Sequence, residues 1–213
     1  MTAFLLSVTA LWSYLLGCLD GAGIASRFVF RRRLRVPKGE TPGFREYYAS
    51  FGMRGVLLIP GIDIAKTLLA ALVGWLLLRF AGAGSVGLLF AGFCLLLGHM
   101  YPFFRRFRGG MGRLCFMTVA MAFDWRVGLG CLAVFLIALI FFRYVALGSL
   151  LAAGFCPLLI WMTGHETLDG VVALLCAVLV AVRHAENILR MIVGTEKRVV
   201  LKRTDIYGNR GEG

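Results

Sequence analysis

The chain has 213 residues, of which 60% are hydrophobic and 16% charged, with 27 glycines and a formal net charge of +12. These proportions exclude an ordinary soluble domain and describe a polytopic membrane protein. The positive balance does not point to nucleic acid: the basic residues sit in short loops beside apolar runs, where anionic headgroups attract each by about 1 kcal/mol.

A spanning helix needs about 20 largely apolar residues. The first predicted span is 3 to 25, read as a retained transmembrane helix because no basic residue precedes Arg27. A basic loop follows and carries the polar cassette GETPGFREYYASFG (39 to 52). The second span, 55 to 78, holds Asp63 and Lys66 at i and i+3, with Asp20 at similar depth in the first. Ionisable groups inside a membrane are costly, so this cluster is either functional or a salt bridge that anchors helices.

The third span, 83 to 100, closes near His99 and leads into GHMYPFFRRFRGGMGR (98 to 113), where Pro102 ends the helical run. A weak segment at 112 to 123 follows, too short for the hydrocarbon core, so its backbone must be buried in protein or line a wet cavity. If that segment is helical, its first amides face the turn of Gly109, Gly110 and Gly112 and offer an anion site, with Arg108 and Arg113 placed to clamp a phosphate. The plainer reading is a glycine turn between two helices.

Further spans are predicted at 127 to 142, at 144 to 162 and from about 168. The last runs into RHAENILRMIVGTE (183 to 196); if its helix continues, His184, Asn187 and Arg190 share one stripe, able to move a proton or hold an oxyanion. A solvated helix exit is the competing reading. His184 and Asn187 are expected to face the GGMG loop across a polar pocket, because lone polar side chains at the membrane surface need partners or water.

Residues 26 to 54, 104 to 113 and 183 to 213 carry 19 of the 23 basic side chains, whereas the alternating turns hold Arg79, Arg126 and the acidic stretch HETLD (165 to 169). Basic short loops stay cytoplasmic, which predicts seven crossings with the N-terminus outside and the C-terminus inside. Residues 1 to 200 are expected to form a single membrane domain and 201 to 213 a basic cytoplasmic tail. The six cysteines show no CxxC pair or Cys/His metal spacing and read as packing residues, so no metal or cofactor is expected. His165 is assigned no role.

Taken together, YLLG (Tyr14 to Gly17), the DxxK of Asp63 and Lys66, GHxxPxFxxFxGGxG (Gly98 to Gly112), RYVxLGS (Arg143 to Ser149) and RHxxNIxRxxxGTE (Arg183 to Glu196) resemble the PlsY family of acyl-phosphate:glycerol-3-phosphate acyltransferases over nearly the whole chain. The resemblance implies a multi-pass enzyme of the bacterial inner membrane, with its site on the cytoplasmic face. Its substrates would be an acyl phosphate and glycerol 3-phosphate or a related polyol phosphate, and its product lysophosphatidic acid. It implies catalytic roles for His184 and Asn187. Substrate binding would fall to Gly109, Gly110, Gly112, Arg108, Arg113, Arg45, Arg143, Ser149 and Arg190, with Asp63, Lys66, His99 and Glu196 in support.

Several family positions differ here. The serine and final asparagine of GSGNxGATN fall on Gly39 and Glu46, and the lysine of GGKG is Met111. The VAT that follows becomes Arg113, Leu114 and Cys115, and the first serine of the RyvSlxS segment is Ala146. Removing a cation from a site for two anionic substrates costs rate, with Arg113 and Arg45 as potential replacements. Two functional classes are therefore open: an acyltransferase, and a non-catalytic homologue that binds a lipid phosphate or a membrane partner. A carrier built on the short fourth segment is a third reading, for which no inverted repeat is found.

Overall fold

The computed structural model describes residues 1–32, 34 and 43–198, with the side chain of Arg45 outside the description. Among these the protein is all-helical. Helices α1 (Thr2–Cys18), α3 (Phe44–Arg79), α4 (Gly84–Met100), α5 (Arg113–Phe123), α6 (Trp125–Phe142), α7 (Val145–Met162) and α8 (Thr167–Arg183) form the bundle. Short α2 (Gly21–Ile24) and α9 (Ala185–Ile192) are appended where α1 and α8 end. Four helices are long and apolar enough to cross a membrane, or six if each bent pair is one span.

Helix α1 packs on α4, and α4 also packs on α3, α5 and α8, which makes α4 the central element. Glycines permit the α1–α4 crossing: a Cβ on Gly17 would strike the Leu95 carbonyl, and one on Gly98 the Tyr14 carbonyl. Between apolar helices in lipid, this close backbone approach supplies packing energy that hydrophobic burial cannot. The core is built from Leu95, Leu96 and Met100 of α4 with Phe116, Val119, Val127, Ile160 and Val180. Leu68, Leu69 and Leu72 of α3 and Leu136, Ile137 and Ile140 of α6 are exposed, as expected of lipid-facing surfaces.

The continuous apolar runs end within a few residues of their predicted limits. Helix α4 stops at Met100 because proline at 102 pushes Tyr101 out of the helical region. Three segments differ from expectation. The predicted first span breaks after Cys18, and α2 with the π-helical turn Ala25–Val29 leaves at 51°. The second begins at Phe44, so the end of the first cassette is helical, with a break at Gly52 (φ 65). The last does not continue as one helix: it ends at Arg183, and α9 leaves at 56°. The tail from 201 to 213, Gly39, Arg33, Arg35 and Lys38 lie outside the described residues.

Candidate active site

The α8–α9 break carries the sequence-predicted His184 and Asn187. His184 lies between the helices with φ −94° and ψ 9°, and its side chain is 1% exposed. Its Nδ1 is 2.9 Å from the Val180 carbonyl. A carbonyl can only accept, so Nδ1 carries the proton and Nε2 presents a lone pair. That Nε2 is buried without a hydrogen-bond partner among the described residues, as is the Asn187 Oδ1. Buried polar atoms are rarely left unpaired, and two together mark a place shaped for something else.

One turn into α9, the Asn187 amide donates to Glu196 Oε1 at 2.8 Å, and Arg190 Nε donates to Glu196 Oε2 at 2.8 Å. Glu196 reaches back because Gly194 adopts φ 77°, and the amides of Thr195 and Glu196 then donate to the Arg190 carbonyl. The Asn187 Oδ1 is thereby aimed by its own amide group. The single stripe expected for His184, Asn187 and Arg190 is replaced by a corner: His184 caps α8 while Asn187 and Arg190 belong to α9.

Arg183 joins this corner to the glycine loop. Its Nε donates to the Gly110 carbonyl at 3.0 Å and its Nη2 to the Gly109 carbonyl at 2.8 Å, with the guanidinium over the Tyr101 ring at 5.9 Å. The loop itself is tightly committed. Gly109 N donates to the Met100 carbonyl and Gly110 N to the His99 carbonyl, each at 3.0 Å. These two amides are spent on backbone and so hold the loop rather than offering free donors. A Cβ on Gly109 would meet the His99 carbonyl, and one on Gly110 the His99 ring.

The first amides of the short fourth segment, where the sequence predicts free donors, are those that open α5. Gly112 caps it with φ 69°, and among the described residues no side chain caps it. Arg113 opens the helix half-buried, within electrostatic reach of His184, Glu196 and Tyr47.

Lys66, 6% exposed, supports the loop from behind. Its ammonium donates to the Leu19 carbonyl at 2.7 Å, lies 3.0 Å from His99 Nδ1 and pairs with Asp63 at 2.8 Å. Asp20 does not join this cluster; it pairs with Arg105 at 2.6 Å, because the chain turns away after Cys18.

The other predicted residues lie apart from this network. Arg108 is exposed, and so is Arg143, which ends α6 in a left-handed conformation (φ 62). The Ser149 hydroxyl donates to the Val145 carbonyl at 2.8 Å. Glu46 caps α3 by accepting from Gly43 N at 2.9 Å. Arg183 was missed as a site residue because an arginine at a helix exit also serves topology; its place directly before His184 was the available signal.

Residues 7–194 match the glycerol-3-phosphate acyltransferase family. The chain belongs to that family. A glycerol-3-phosphate acyltransferase from Ralstonia pickettii is 34% identical over 194 residues, spanning 90% of this chain and 93% of the relative. One from Thermoanaerobacter pseudethanolicus is 28% identical, spanning 90% and 94%. The crystal structure of PlsY, an integral membrane glycerol 3-phosphate acyltransferase, superposes in its glycerol 3-phosphate form with a TM-score of 0.75 at 30% identity, covering 92% of this chain and 96% of that one. Its lysophosphatidic acid form superposes with a TM-score of 0.76 at 28% identity. The family therefore accounts for the all-helical membrane architecture, and this chain is a multi-pass integral membrane protein of that acyltransferase class.

Proposed function

We propose that the protein transfers an acyl chain from an acyl phosphate to a hydroxyl of glycerol 3-phosphate, or a closely related polyol phosphate, forming lysophosphatidic acid and inorganic phosphate at the cytoplasmic face of a bacterial inner membrane. The observation that carries this reading is His184: a buried imidazole with Nδ1 fixed on Val180 and a free Nε2 lone pair, beside the equally unpartnered Asn187 Oδ1.

The chemistry follows from that pair. The acceptor hydroxyl attacks the acyl carbonyl while His184 Nε2 takes its proton, and the phosphate departs with the electrons of the broken carbonyl–oxygen bond. Asn187 Oδ1 orients the hydroxyl, and Glu196 holds Asn187 in that orientation. Arg113 and the first amides of α5 receive phosphate charge, as a helix N-terminus does. Arg183 positions the glycine loop rather than binding substrate, since two of its nitrogens are committed to loop carbonyls. Arg190 acts through Glu196, while Arg45, Arg108, Arg143 and Ser149 are assigned to substrate binding. The positive-inside distribution supports seven crossings with the C-terminus inside.

A protein that only held a lipid phosphate would need the cationic donors and not a tautomer-locked imidazole with an open nitrogen. The test is purified protein in lipid given acyl phosphate and glycerol 3-phosphate, with phosphate and lysolipid followed together. Both are expected to rise in equal amounts. A folded protein that releases neither, beside an active relative in the same preparation, rejects the proposal.

A further inference from the structure

Asp63 on α3, His99 on α4 and Cys115 in the first turn of α5 converge behind the glycine loop, with ligating atoms all within 4.8 Å of one another. Cys115 stands where the pattern of the resembled family has threonine. It is 1% exposed, with the Thr67 hydroxyl beside its sulfur. No sequence spacing announces the set, because its members come from three helices.

This place already holds a cation. The Lys66 ammonium is ion-paired with Asp63 at 2.8 Å and sits 3.0 Å from His99 Nδ1 and 2.7 Å from the Leu19 carbonyl. Carboxylate, imidazole and thiolate together suit zinc-class ions, whereas magnesium and calcium demand oxygen shells. Ligand atoms around tetrahedral zinc stand about 3.3–3.8 Å apart, so closure needs a contraction of about 1 Å, within rotamer adjustment.

We infer that Asp63, His99 and Cys115 form a binding site for a thiophilic divalent cation, zinc or cadmium, which competes with the Lys66 ammonium and inhibits the enzyme when bound. On binding, the Lys66 ammonium is displaced from Asp63 and His99 and the Cys115 thiol proton passes to water, so the ion's two charges meet one carboxylate and one thiolate. Inhibition follows from His99: its carbonyl accepts from Gly110 N and its ring packs on Gly110, so drawing the ring onto a metal moves the loop. The inhibition rests on the acyltransferase reading; the binding does not.

The full chain in nanodiscs is titrated with cadmium, reading thiolate-to-cadmium charge-transfer absorption, beside Cys115→Thr and Lys66→Met. The unaltered protein is expected to saturate at one ion per chain and Cys115→Thr to lose the band. Lys66→Met, freed of the competing charge, is expected to bind about tenfold tighter. Saturating zinc should slow the unaltered enzyme at least about fivefold and Cys115→Thr less than about twofold, the size of loss expected when a loop shifts by a fraction of an ångström. A band that persists in Cys115→Thr assigns the ion to the other cysteines and overturns the site, as does no saturable band in the unaltered protein. If Cys115→Thr does not fold, zinc-edge X-ray absorption of the unaltered protein decides: one sulfur with nitrogen and oxygen neighbours supports the site, and a shell without sulfur refutes it. Cadmium binding as expected in a protein that turns over no substrate sinks the acyltransferase reading and leaves the metal site standing.

Discussion

The two ends of α5 each place a histidine near a carboxylate and an arginine, yet the two clusters are built for opposite purposes. At the α5–α6 turn, Asp124 accepts from Arg126 N at 2.7 Å, from Arg126 Nη2 at 2.8 Å, and lies 2.9 Å from His165 Nε2. Both carboxylate oxygens are saturated, Asp124 caps α6, and His165 packs against Phe123 at 4.6 Å. At the α8–α9 break, Glu196 is equally well used, but His184 Nε2 and Asn187 Oδ1 are buried and unpartnered among the described residues. A satisfied cluster closes a turn; one left with two open acceptors is the better candidate for a ligand that supplies donors. Residue types alone do not separate the two.

The largest expected difference is in chemistry. His184→Ala should lower kcat by about 100-fold to 10,000-fold, the range of a general base, with the protein still folded by circular dichroism. His165→Ala should leave kcat within about twofold, since its partners only staple a turn. A comparable loss in both variants would erase the distinction.

Next in size is Arg183→Leu, which frees the Gly109 and Gly110 carbonyls without removing any group from the reacting atoms. Its kcat/KM should fall by about 100-fold, the cost of misplacing a positioned site by about 1 Å. Arg183→Lys should recover only part of this, because lysine lacks the fork that spans both carbonyls. Full recovery would reduce Arg183 to a charge.

Smaller, and opposite in sign, is Met111→Lys. Restoring a cation in the glycine loop should raise kcat/KM for glycerol 3-phosphate by about tenfold at low salt, with the gain shrinking as salt is added. Unchanged kinetics would show that Arg113 has already taken over that role.

The smallest effect belongs to the saturated cluster. Hydrogen bonds from Arg126, then from His165, hold the Asp124 carboxyl well below the usual carboxylate range. A group depressed in the folded state stabilises above its unfolded value, about 3.9, and loses that contribution as pH falls through the folded value. Asp124→Asn should therefore flatten the acid side of the thermal-stability profile and leave turnover at neutral pH unchanged. A profile matching the unaltered protein below pH ~4 would mean that the cap is not felt.

Much of this was legible in the chain. Helices α4, α6 and α7 follow their apolar runs closely, because hydropathy is a local quantity and the runs are long. The breaks at Cys18 and at His184 were not, because Asp20, Gly21 and Gly23 after the first and the polar run Arg183 to Asn187 at the second weaken a helix without fixing where or by what angle the chain turns. The glycine loop was recognisable as a turn, but that the Gly109 and Gly110 amides are held by the Met100 and His99 carbonyls was not, because those partners lie across the turn. Asp20 had the right depth to join Asp63 and Lys66, yet it lies beyond the end of α1 and meets Arg105 instead. Glu46, a departure from the family's asparagine, turned out to cap α3.

By itself the sequence determined membrane class, the principal spans and the family, because these depend on residue identity and on periodicity along one segment. Only the tertiary structure decided that His184 stands at a corner, that Arg183 grips the glycine loop, and that a thiol, an imidazole and a carboxylate meet around Lys66. Such partnerships join groups from α3, α4, α5 and α8. A hydrogen bond is worth something only within a few tenths of an ångström and a limited range of angle, and no local property of the chain specifies that geometry.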